Sequence, residues 1–217
     1  MKVGILFDLD GTLLSTLEDL TDSINHTLRA YHCPERTLAE VKGFIGNGAR
    51  NLIARSLPGK ESDPPFEEVF ADYKAYYATH NQIKTHPYEG ILEALEEIRR
   101  EFPVAVVSNK HDTATKPMCK AYFGEEIYAL GERPGCPKKP APDMLRQAMA
   151  AIGVDTCIYV GDSEVDVLTA KNTGVPCLSV LWGFRDKECL VAHGATHFCE
   201  DPRNLYAALK EMIEHGQ

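Results

Sequence analysis

FDLDGTLL, residues 7–14, closes the first apolar run of the chain with two aspartates, a glycine and a threonine. Residues 3–9 have the Val, Ile, Leu and Phe content of a buried strand, so Asp8 and Asp10 fall where this strand should end. Alternate side chains of an extended chain point the same way, which brings the two carboxylates together. Their repulsion has to be relieved by a cation or a shared proton, unless Asp10 only caps an Asp-Gly turn at Gly11. A hard divalent ion such as Mg²⁺, which binds carboxylate, carbonyl and phosphate oxygens, would meet that need.

Apolar runs of the same kind recur along the chain and alternate with helical patterns. The runs cover residues 104–108, 127–130, 157–160 and 175–180, and the helical patterns cover residues 143–152, 164–173 and 204–213. Short buried strands that alternate with helices predict βαβ units, and therefore an α/β fold with a Rossmann-like parallel sheet in a three-layer α/β/α arrangement. Ligands of such sheets bind beyond the carboxyl ends of the strands, where Asp8, Ser108 and Asp162 all fall.

The chain between the first two strands carries helix signals only. Apolar residues three to four apart run from Leu14 to Tyr31, capping-box patterns begin at Ser15 and Thr37, and a Pro-Pro pair precedes a stretch rich in Phe and Tyr. We therefore predict an all-helical cap domain inserted after the first strand, with hinges near residues 14–15 and 84–87. The predicted domain limits are 15–83 for the cap domain and 1–14 with 84–217 for the core domain.

Charge and cysteine usage limit the classes of partner. The 217 residues contain 23 Lys and Arg against 32 Asp and Glu, a formal net charge of −9, whereas nucleic acids and anionic membranes require a concentrated basic surface. We therefore expect neither as a partner. Seven scattered cysteines without a Cys-x-x-Cys pair favour reduced thiols. The N-terminus runs into strand sequence without the features of a signal peptide, and no apolar run approaches the roughly 20 residues of a membrane span, so we expect a cytoplasmic protein.

Three further polar segments follow predicted strands. Ser108 and Asn109 come directly after one strand, where a hydroxyl and neighbouring amides would hold a phosphate oxygen or cap the next helix. Lys139 opens a helix within Lys-Pro-Ala-Pro, where it would neutralise phosphate and carboxylate charge or lie on the surface. Asp162 and Asp166 belong to a segment with three acids in five residues, which suits a metal site or the N-terminus of a helix. Their common placement at strand ends predicts one phosphate and metal site.

With these segments in this order, the chain resembles the haloacid dehalogenase superfamily of phosphotransferases, and within it the phosphoglycolate phosphatase-like branch. The helical insertion is similar to the superfamily's first type of cap, C1. The four superfamily motifs match D-L-D-G-T at 8–12, S-N-K at 108–110, K-P-A-P at 139–142 and G-D-S-E-V-D at 161–166. Traits of the branch match G-N-G-A at 46–49, P-Y-E-G at 87–90 and W-G-F-R at 182–185. The resemblance covers essentially the whole chain.

The resemblance implies a Mg²⁺-dependent phosphatase that works through an aspartyl-phosphate intermediate. Asp8 would be the nucleophile, and Asp10 would protonate the leaving oxygen and then activate water. Mg²⁺ would bind the carboxylates of Asp8 and Asp162 and the backbone carbonyl of Asp10. Asp166 would hold Lys139 or a bound water without binding the metal directly.

The same resemblance assigns the phosphoryl oxygens to groups at this edge of the sheet. The residues expected to hold them are Gly11, Thr12, Ser108, Asn109 and Lys139. Lys138 is adjacent to Lys139, so the choice of lysine rests on the register of the Lys-Pro-x-Pro motif.

The cap is expected to select the rest of the substrate. Asn47 and Gly48 would form a loop that faces the site, and Arg50 would pair with a substrate carboxylate, which suits 2-phosphoglycolate. The alternative is that these residues end one helix and begin the next. Trp182 and Arg185 would either line the rim of the site or pack on the cap.

Other activities remain as alternatives. The partner is expected to be a small phosphorylated metabolite, and pyrophosphate, a nucleotide, a sugar phosphate or a phosphomutase reaction would use the same motifs. A dehalogenase is disfavoured because its chemistry has no need of Asp10. A catalytically idle binding or regulatory protein on this scaffold would lack at least one key group, and all four are present: Asp8, Asp10, Lys139 and Asp162. A receiver domain has another motif order and no such helical insertion. We expect a monomer or a homodimer.

Overall fold

The computed structural model describes residues 1–59 and 64–216, and its core is a six-stranded parallel sheet of Rossmann-like type. The strands of the described chain, in order, are β1 (Val3–Phe7), β2 (Leu14–Ser15), β3 (His86–Pro87), β4 (Val104–His111), β5 (Tyr128–Glu132), β6 (Thr156–Gly161), β7 (Cys177–Val180) and β8 (His197–Cys199). The order across the main sheet is β5-β4-β1-β6-β7-β8. The predicted α/β class is confirmed, and β1 lies in the middle with β4 and β6 beside it.

Each predicted helical pattern corresponds to an α-helix of the described chain, whereas α9 is not predicted. They are α1 (Leu17–Ala30), α2 (Leu38–Phe44), α3 (Ala49–Ser56), α4 (Phe66–His80), α5 (Ile91–Glu101), α6 (Asp112–Phe123), α7 (Asp143–Ile152), α8 (Glu164–Thr173), α9 (Lys187–Ala192) and α10 (Leu205–Glu214). The limits of α7 and α8 coincide with the prediction, and α10 begins one residue later than expected. Within the described ranges, none of these helices combines the length and the apolar character that crossing a bilayer requires.

Helices cover both faces of the sheet. Successive strand residues point to opposite faces, so apolar strand side chains pack against helices on each side. Ile5 and Phe7 of β1 pack in a cluster with α5, α6 and α10, which includes Leu209. Leu6 points to the opposite face and packs with Leu145 of α7. A strand buried on both faces reads as a continuous apolar run, and this explains the composition of the first segment of the chain.

The short strands β2, β3 and β8 are not predicted, and the largest change of limits in the main sheet is that of β4. The prediction misses β8, a three-residue edge strand whose His-Phe-Cys sequence lacks the Val and Ile content of the others. β4 continues beyond the predicted residue 108 to His111, with a register irregularity after Val107. Gly131 of β5 permits this β-bulge, because a Cβ at that position would lie 2.6 Å from the carbonyl oxygen of Lys110.

Helices α1 to α4 lie between β2 and β3 in the chain and form the cap over the sheet edge. They pack around an apolar cluster of their own, in which Ile24, Ile53 and Tyr73 are buried. Phe184, from the loop after β7, completes this cluster from the core side. The apolar and aromatic spacing of the segment is therefore explained by packing within the cap.

One of the two expected capping boxes is present. The Thr37 hydroxyl accepts a hydrogen bond from the Glu40 N–H, and the Glu40 carboxylate accepts one from the Thr37 N–H at the start of α2. The expectation at Ser15 is wrong, because Ser15 pairs with β3 as part of β2. Thr16 is the N-cap of α1 and makes no side-chain capping hydrogen bond.

The two connections between core and cap are joined to each other. β2 and β3 form an antiparallel pair. The buried carboxylate of Asp19, in the first turn of α1, accepts hydrogen bonds of 2.8 to 3.1 Å from the backbone N–H groups of Ile83, Lys84 and Thr85. The chain thus enters and leaves the cap at one place.

Candidate active site

The carboxyl ends of β1, β4 and β6 face a cavity of about 760 Å³ between the sheet and the cap. The core residues in its wall include Asp8, Asp10, Ser108, Lys110 and Asp162. The cap residues in its wall include Leu20, Gly48, Arg50, Phe70 and Tyr77. One end of the cavity is therefore acidic and polar, and the other is mainly apolar.

Lys139 is the centre of a buried ion-pair cluster beside this cavity. Its ammonium lies 2.9 Å from Asp8 Oδ1 and 2.7 Å from Asp166 Oδ1, and it donates a hydrogen bond of 2.8 Å to the Tyr159 hydroxyl. Burial lowers the pKa of Lys139, but the adjacent Asp166 and Asp8 carboxylates outweigh burial and hold this pKa above its usual range. Lys139 is therefore charged, although only 2% of its side chain is exposed.

Asp162 is held at the end of β6 by two hydrogen bonds. Its Oδ1 accepts from the Thr12 hydroxyl at 3.1 Å, and its Oδ2 accepts from the Phe184 N–H at 2.7 Å. Gly11, with φ of +84°, and Gly183 allow the two loops to approach, because a Cβ on either would lie 2.4 to 2.5 Å from Asp162 Oδ2. Glycine is thus required at both positions by the close packing around this carboxylate.

The buried carboxylates fit a hard divalent cation. One oxygen each from Asp8, Asp162 and Asp166 can be chosen so that all three lie within 4.8 Å of one another. Burial raises the pKa of Asp8 to about 7 against the opposing effect of Lys139, with Asp166 and Asp10 raising it further. Burial also raises the pKa of Asp162 well above its usual value, as do its carboxylate neighbours. Oxygen donors with an excess of negative charge are the environment that Mg²⁺ prefers.

Asp166 differs from the other two because both of its oxygens already have partners. Oδ1 contacts Lys139, and Oδ2 accepts hydrogen bonds from the Ser163 N–H at 3.1 Å and the Ser163 hydroxyl at 2.6 Å. This capping box begins α8. Asp166 is fully buried, so its carboxylate orients the lysine and starts the helix.

Asp10 lies outside this carboxylate group and pairs with Lys110. The Lys110 ammonium lies 2.9 Å from Asp10 Oδ1 and 3.2 Å from Oδ2, and it also donates to the Tyr77 hydroxyl of α4. No role for Lys110 is predicted from the sequence, although it belongs to the S-N-K segment. The register irregularity after Val107 means that simple strand alternation does not predict where its side chain lies.

The Asn109 side chain binds backbone groups. Its amide nitrogen donates to the carbonyl of Lys139 at 2.9 Å and to that of Gly46 in the cap at 3.1 Å, and its Oδ1 accepts from the Lys139 N–H at 2.9 Å. Asn109 therefore fixes the backbone of Lys139 and joins core to cap. Its side chain does not point a free donor at a phosphate, whereas Ser108 lines the cavity.

Arg50 lines the cavity but already has partners within the cap. It forms an ion pair with Glu67, and its guanidinium carbon lies 4.8 Å from the ring centroid of Phe66. Half of its side chain, 53%, is exposed. The ion pair is therefore of the weak, solvent-screened kind that a stronger anion can replace.

Core side chains bind the backbone of the cap in the last turn of α2 and in the loop between α2 and α3. Lys138 donates to the carbonyl of Asn47 at 2.9 Å. Arg185 donates to the carbonyls of Lys42 at 3.0 Å and Ile45 at 2.7 Å. Of the two roles considered for Arg185, the structure shows packing on the cap.

Gly48 and Trp182 have structural contacts at the same boundary. Gly48 has φ of +82°, and a Cβ there would lie 2.7 Å from Glu132 Oε2, so glycine allows the cap loop to lie close to β5. The Trp182 indole donates to the carbonyl of Thr12 at 2.9 Å, which ties the loop after β7 to the loop after β1.

A family model and individual relatives both place the chain in the same protein family. The model of a family described as haloacid dehalogenase-like hydrolase matches residues 5–180. A phosphoglycolate phosphatase from Cereibacter sphaeroides is 32% identical over 188 residues, which cover 84% of this chain and 86% of that relative.

Solved structures show the same fold. A phosphoglycolate phosphatase candidate from Lactobacillus delbrueckii subsp. bulgaricus is 34% identical, with a TM-score of 0.86 over 95% of this chain and 97% of that chain. CbbY from Rhodobacter sphaeroides, solved in complex with phosphate, is 24% identical, with a TM-score of 0.79 over 97% of this chain and 100% of that chain. At that identity the second likeness shows the fold alone.

Proposed function

Because the chain belongs to the haloacid dehalogenase-like hydrolases, we propose that it hydrolyses 2-phosphoglycolate to glycolate and phosphate through an aspartyl-phosphate intermediate. It is a phosphoric monoester hydrolase, the class to which its phosphoglycolate phosphatase relatives belong. The observation that carries the proposal is the placement of Asp8. Its carboxylate follows β1 in the cavity wall, 2.9 Å from the buried Lys139 ammonium and within reach of Asp162.

The proposed reaction has two displacement steps. In the first, an oxygen of Asp8 attacks the phosphorus, the bond to the glycolate oxygen breaks, and Asp10 gives its proton to that oxygen. In the second, the ionised Asp10 takes a proton from water, whose oxygen attacks the same phosphorus and releases Asp8 and inorganic phosphate. Each step leaves Asp10 in the protonation state that the next one needs.

The phosphoryl oxygens would be held by charged and polar groups at the same strand ends. Lys139 would compensate their charge, since Asp166 and Asp8 hold its ammonium in place. Ser108 lines the cavity, and Gly11 and Thr12 form the turn directly after the two aspartates. We assign these groups to phosphate binding.

Mg²⁺ would be held by the carboxylates of Asp8 and Asp162 and by the backbone carbonyl of Asp10. When bound, this ion supplies positive charge to the nucleophile and to the phosphate. Asp162 has no ammonium or guanidinium partner within the described ranges, whereas Asp8 and Asp166 share Lys139. The charge deficit around Asp162 supports the proposal that this carboxylate binds the cation.

The four helices over residues 15–83 would act as a cap domain that closes over bound substrate and excludes bulk water. Contacts from Asn109, Lys138 and Arg185 to the cap backbone support a closed arrangement of the two parts. We also propose a cytoplasmic location, which the seven free cysteines support. A monomer or homodimer stays a prediction.

2-Phosphoglycolate is the proposed substrate because of the relatives and because of Arg50. The Cereibacter sphaeroides relative is a phosphoglycolate phosphatase. Arg50 lines the cavity, and a substrate carboxylate would replace Glu67 as its partner. A nucleotide or sugar phosphate is the second candidate, since a cavity of about 760 Å³ lies in the size range of sites for much larger ligands.

A panel of phosphate esters tests the reaction and the substrate. We expect kcat/KM to be highest for 2-phosphoglycolate, above that for pyrophosphate, a nucleoside monophosphate and a hexose phosphate. EDTA should abolish phosphate release, and added Mg²⁺ should restore it. A much higher kcat/KM for the nucleotide or the hexose phosphate would overturn the substrate, and full activity in EDTA would overturn the role of the metal.

Mg²⁺ is expected to raise the melting temperature of EDTA-treated protein, and to do so more at pH 8 than at pH 6. Burial raises the pKa of Asp8 to about 7 in the metal-free protein. A raised carboxyl pKa stabilises the fold fully below the unfolded pKa, and that contribution is lost as the pH rises through about 7. Mg²⁺ binds the ionised carboxylates, so its stabilisation increases over the same range. At a Mg²⁺ concentration of about 100 times the dissociation constant, the gain in the free energy of unfolding would be about 2.7 kcal/mol.

The control for this measurement is an Asp162→Asn variant, which should melt at nearly the same temperature with and without Mg²⁺. A salt control at equal ionic strength removes general screening. If wild-type protein melts at the same temperature in EDTA and in Mg²⁺ at pH 8, the proposed site does not bind this ion.

A further inference from the structure

We propose that Lys110 is a positioning residue for Asp10, and that Tyr77 of the cap holds Lys110 in its working position. Asp10 acts as the acid in the proposed reaction, so this role rests on the proposed function. The cap would then contribute to the proton transfer as well as to the enclosure of the substrate.

The contacts of the Lys110 ammonium carry this inference. Two are to the carboxylate oxygens of Asp10, at 2.9 and 3.2 Å, and the third is to the Tyr77 hydroxyl. An ammonium has three protons, so these contacts use all of its donors. Only 5% of the Lys110 side chain and 13% of the Asp10 side chain are exposed, so water competes little for either group.

The backbone of Lys110 is fixed independently of Asp10. Its N–H donates to the Ser108 hydroxyl at 3.2 Å, and its carbonyl accepts from the Thr115 hydroxyl at 3.0 Å. The bulge after Val107 directs this part of β4 towards the cavity. Lys110 therefore has a rigid base from which it can orient the Asp10 carboxyl group.

Tyr77 brings the cap into the same network. It lies in α4, is 8% exposed, and its ring stacks on that of Tyr73 with 5.5 Å between centroids. Burial raises the pKa of the Tyr77 hydroxyl well above its usual value, with Asp10 and Asp19 adding to the shift, so the hydroxyl is neutral and accepts from the ammonium. Lys110 would lose this third contact when the cap moves away from the core.

The proposed effect of Lys110 is on proton transfer from Asp10 to the leaving oxygen. As the phosphorus–oxygen bond of the ester breaks, the proton of Asp10 passes to the leaving oxygen and Asp10 becomes a carboxylate. The Lys110 ammonium holds the carboxyl group and stabilises the negative charge that it acquires. An alkyl leaving group depends on that proton, whereas p-nitrophenoxide leaves readily without it.

Three substrates and three variants separate this role from others. The substrates are 2-phosphoglycolate, 2-hydroxyethyl phosphate, which is an alkyl ester without a carboxylate, and p-nitrophenyl phosphate. For Lys110→Met we expect kcat on both alkyl esters to fall about 10²-fold or more, and kcat on p-nitrophenyl phosphate to fall less than about 10-fold. Tyr77→Phe should show the same selective loss at a smaller size, and Lys110→Arg should recover part of it.

Matched controls come from neighbouring positions outside the cavity wall. Lys116→Met removes an exposed lysine of α6 that pairs with Asp112, and Tyr76→Phe changes the half-buried residue next to Tyr77 on the same helix. Neither should alter the ratio of alkyl to p-nitrophenyl turnover. The p-nitrophenyl rate also reports that each variant is folded, and Tyr77→Phe tests the network without removing a charge.

Two results would overturn the role of Lys110, and a third would overturn that of Tyr77. An equal loss on all three substrates would make Lys110 a structural residue, and a loss on 2-phosphoglycolate alone would make it a ligand of the substrate carboxylate. An unchanged ratio in Tyr77→Phe would remove the cap from the network. Wild-type rates on the ester panel test the proposed function separately, because the inference depends only on how the variants change a ratio.

Discussion

Asp8→Asn protein is expected to release phosphate from esters at least about 10⁴-fold more slowly than wild type while it remains folded. Asparagine has nearly the shape of aspartate, but its amide does not form the acyl-phosphate bond that the proposed first step requires. The loss should appear in kcat at saturating substrate and Mg²⁺, and it should be the same for alkyl and p-nitrophenyl esters. Phosphate release and stoichiometric labelling of the protein by a phosphorylated substrate are the two measurements.

The stability of the same variant separates chemistry from folding. Asp8 and Asp166 share the single ammonium of Lys139, and Asp162 adds a third buried carboxylate nearby. Replacement of Asp8 by a neutral residue should therefore leave the metal-free melting temperature at pH 8 equal or higher. The matched control is Asp155→Asn, at an exposed position that accepts from the backbone N–H of Lys2, and it should retain full activity. Wild-type turnover by Asp8→Asn would contradict the assignment of the nucleophile.

Lys139→Met is expected to lower the free energy of unfolding of metal-free protein by about 3–5 kcal/mol at pH 8, in addition to removing most activity. Methionine nearly fills the volume, but it leaves Asp8 and Asp166 without the ammonium that contacts both at 2.9 and 2.7 Å. The cost arises from buried charge without compensation, because both carboxylates are almost inaccessible to solvent. Denaturant unfolding followed by circular dichroism provides the measurement.

The pH dependence of that loss identifies its cause. Without Lys139 the pKa of Asp8 should rise further, so the destabilisation should be smaller near pH 5, where the carboxyl groups take up protons, and largest near pH 8. Lys139→Met with Asp166→Asn should be more stable than Lys139→Met alone. Lys138→Met, at a partly exposed neighbour, should cost less than about 1 kcal/mol. A loss in Lys139→Met that does not change with pH would indicate a packing defect.

The sheet edge and its carboxylates could be predicted because they depend on local sequence. A strand covered on both faces is apolar throughout, so charged residues that directly follow it, such as Asp8 and Asp162, mark its carboxyl end. Parallel neighbours then bring these ends to one edge, and the observed order places β1 between β4 and β6. This much follows from alternation and from the spacing of apolar runs.

The contacts between core and cap could not be predicted from the same signals. The Asn109 amide binds Gly46 and Arg185 binds Ile45, but these partners are set by how the cap lies on the core. The bulge that directs Lys110 to the cavity depends on Gly131 in the neighbouring strand. The ion pair between Arg50 and Glu67 joins two helices of the cap, so it is also a tertiary contact. Periodicity along the chain carries no information on such pairs.

The single attachment of the cap, made by the β2–β3 pair and the Asp19 carboxylate, restricts how the two parts can move. If the two connections were far apart, the cap could twist and slide on the core as well as open. Because they are paired side by side, the main movement open to the cap is rotation about one axis. Every closing movement would then return Tyr77 to the same approach path towards Lys110. A loosened attachment, as in Asp19→Ala, should therefore broaden the distribution of cap orientations, and a pair of spin labels on cap and core would detect this as a wider range of distances.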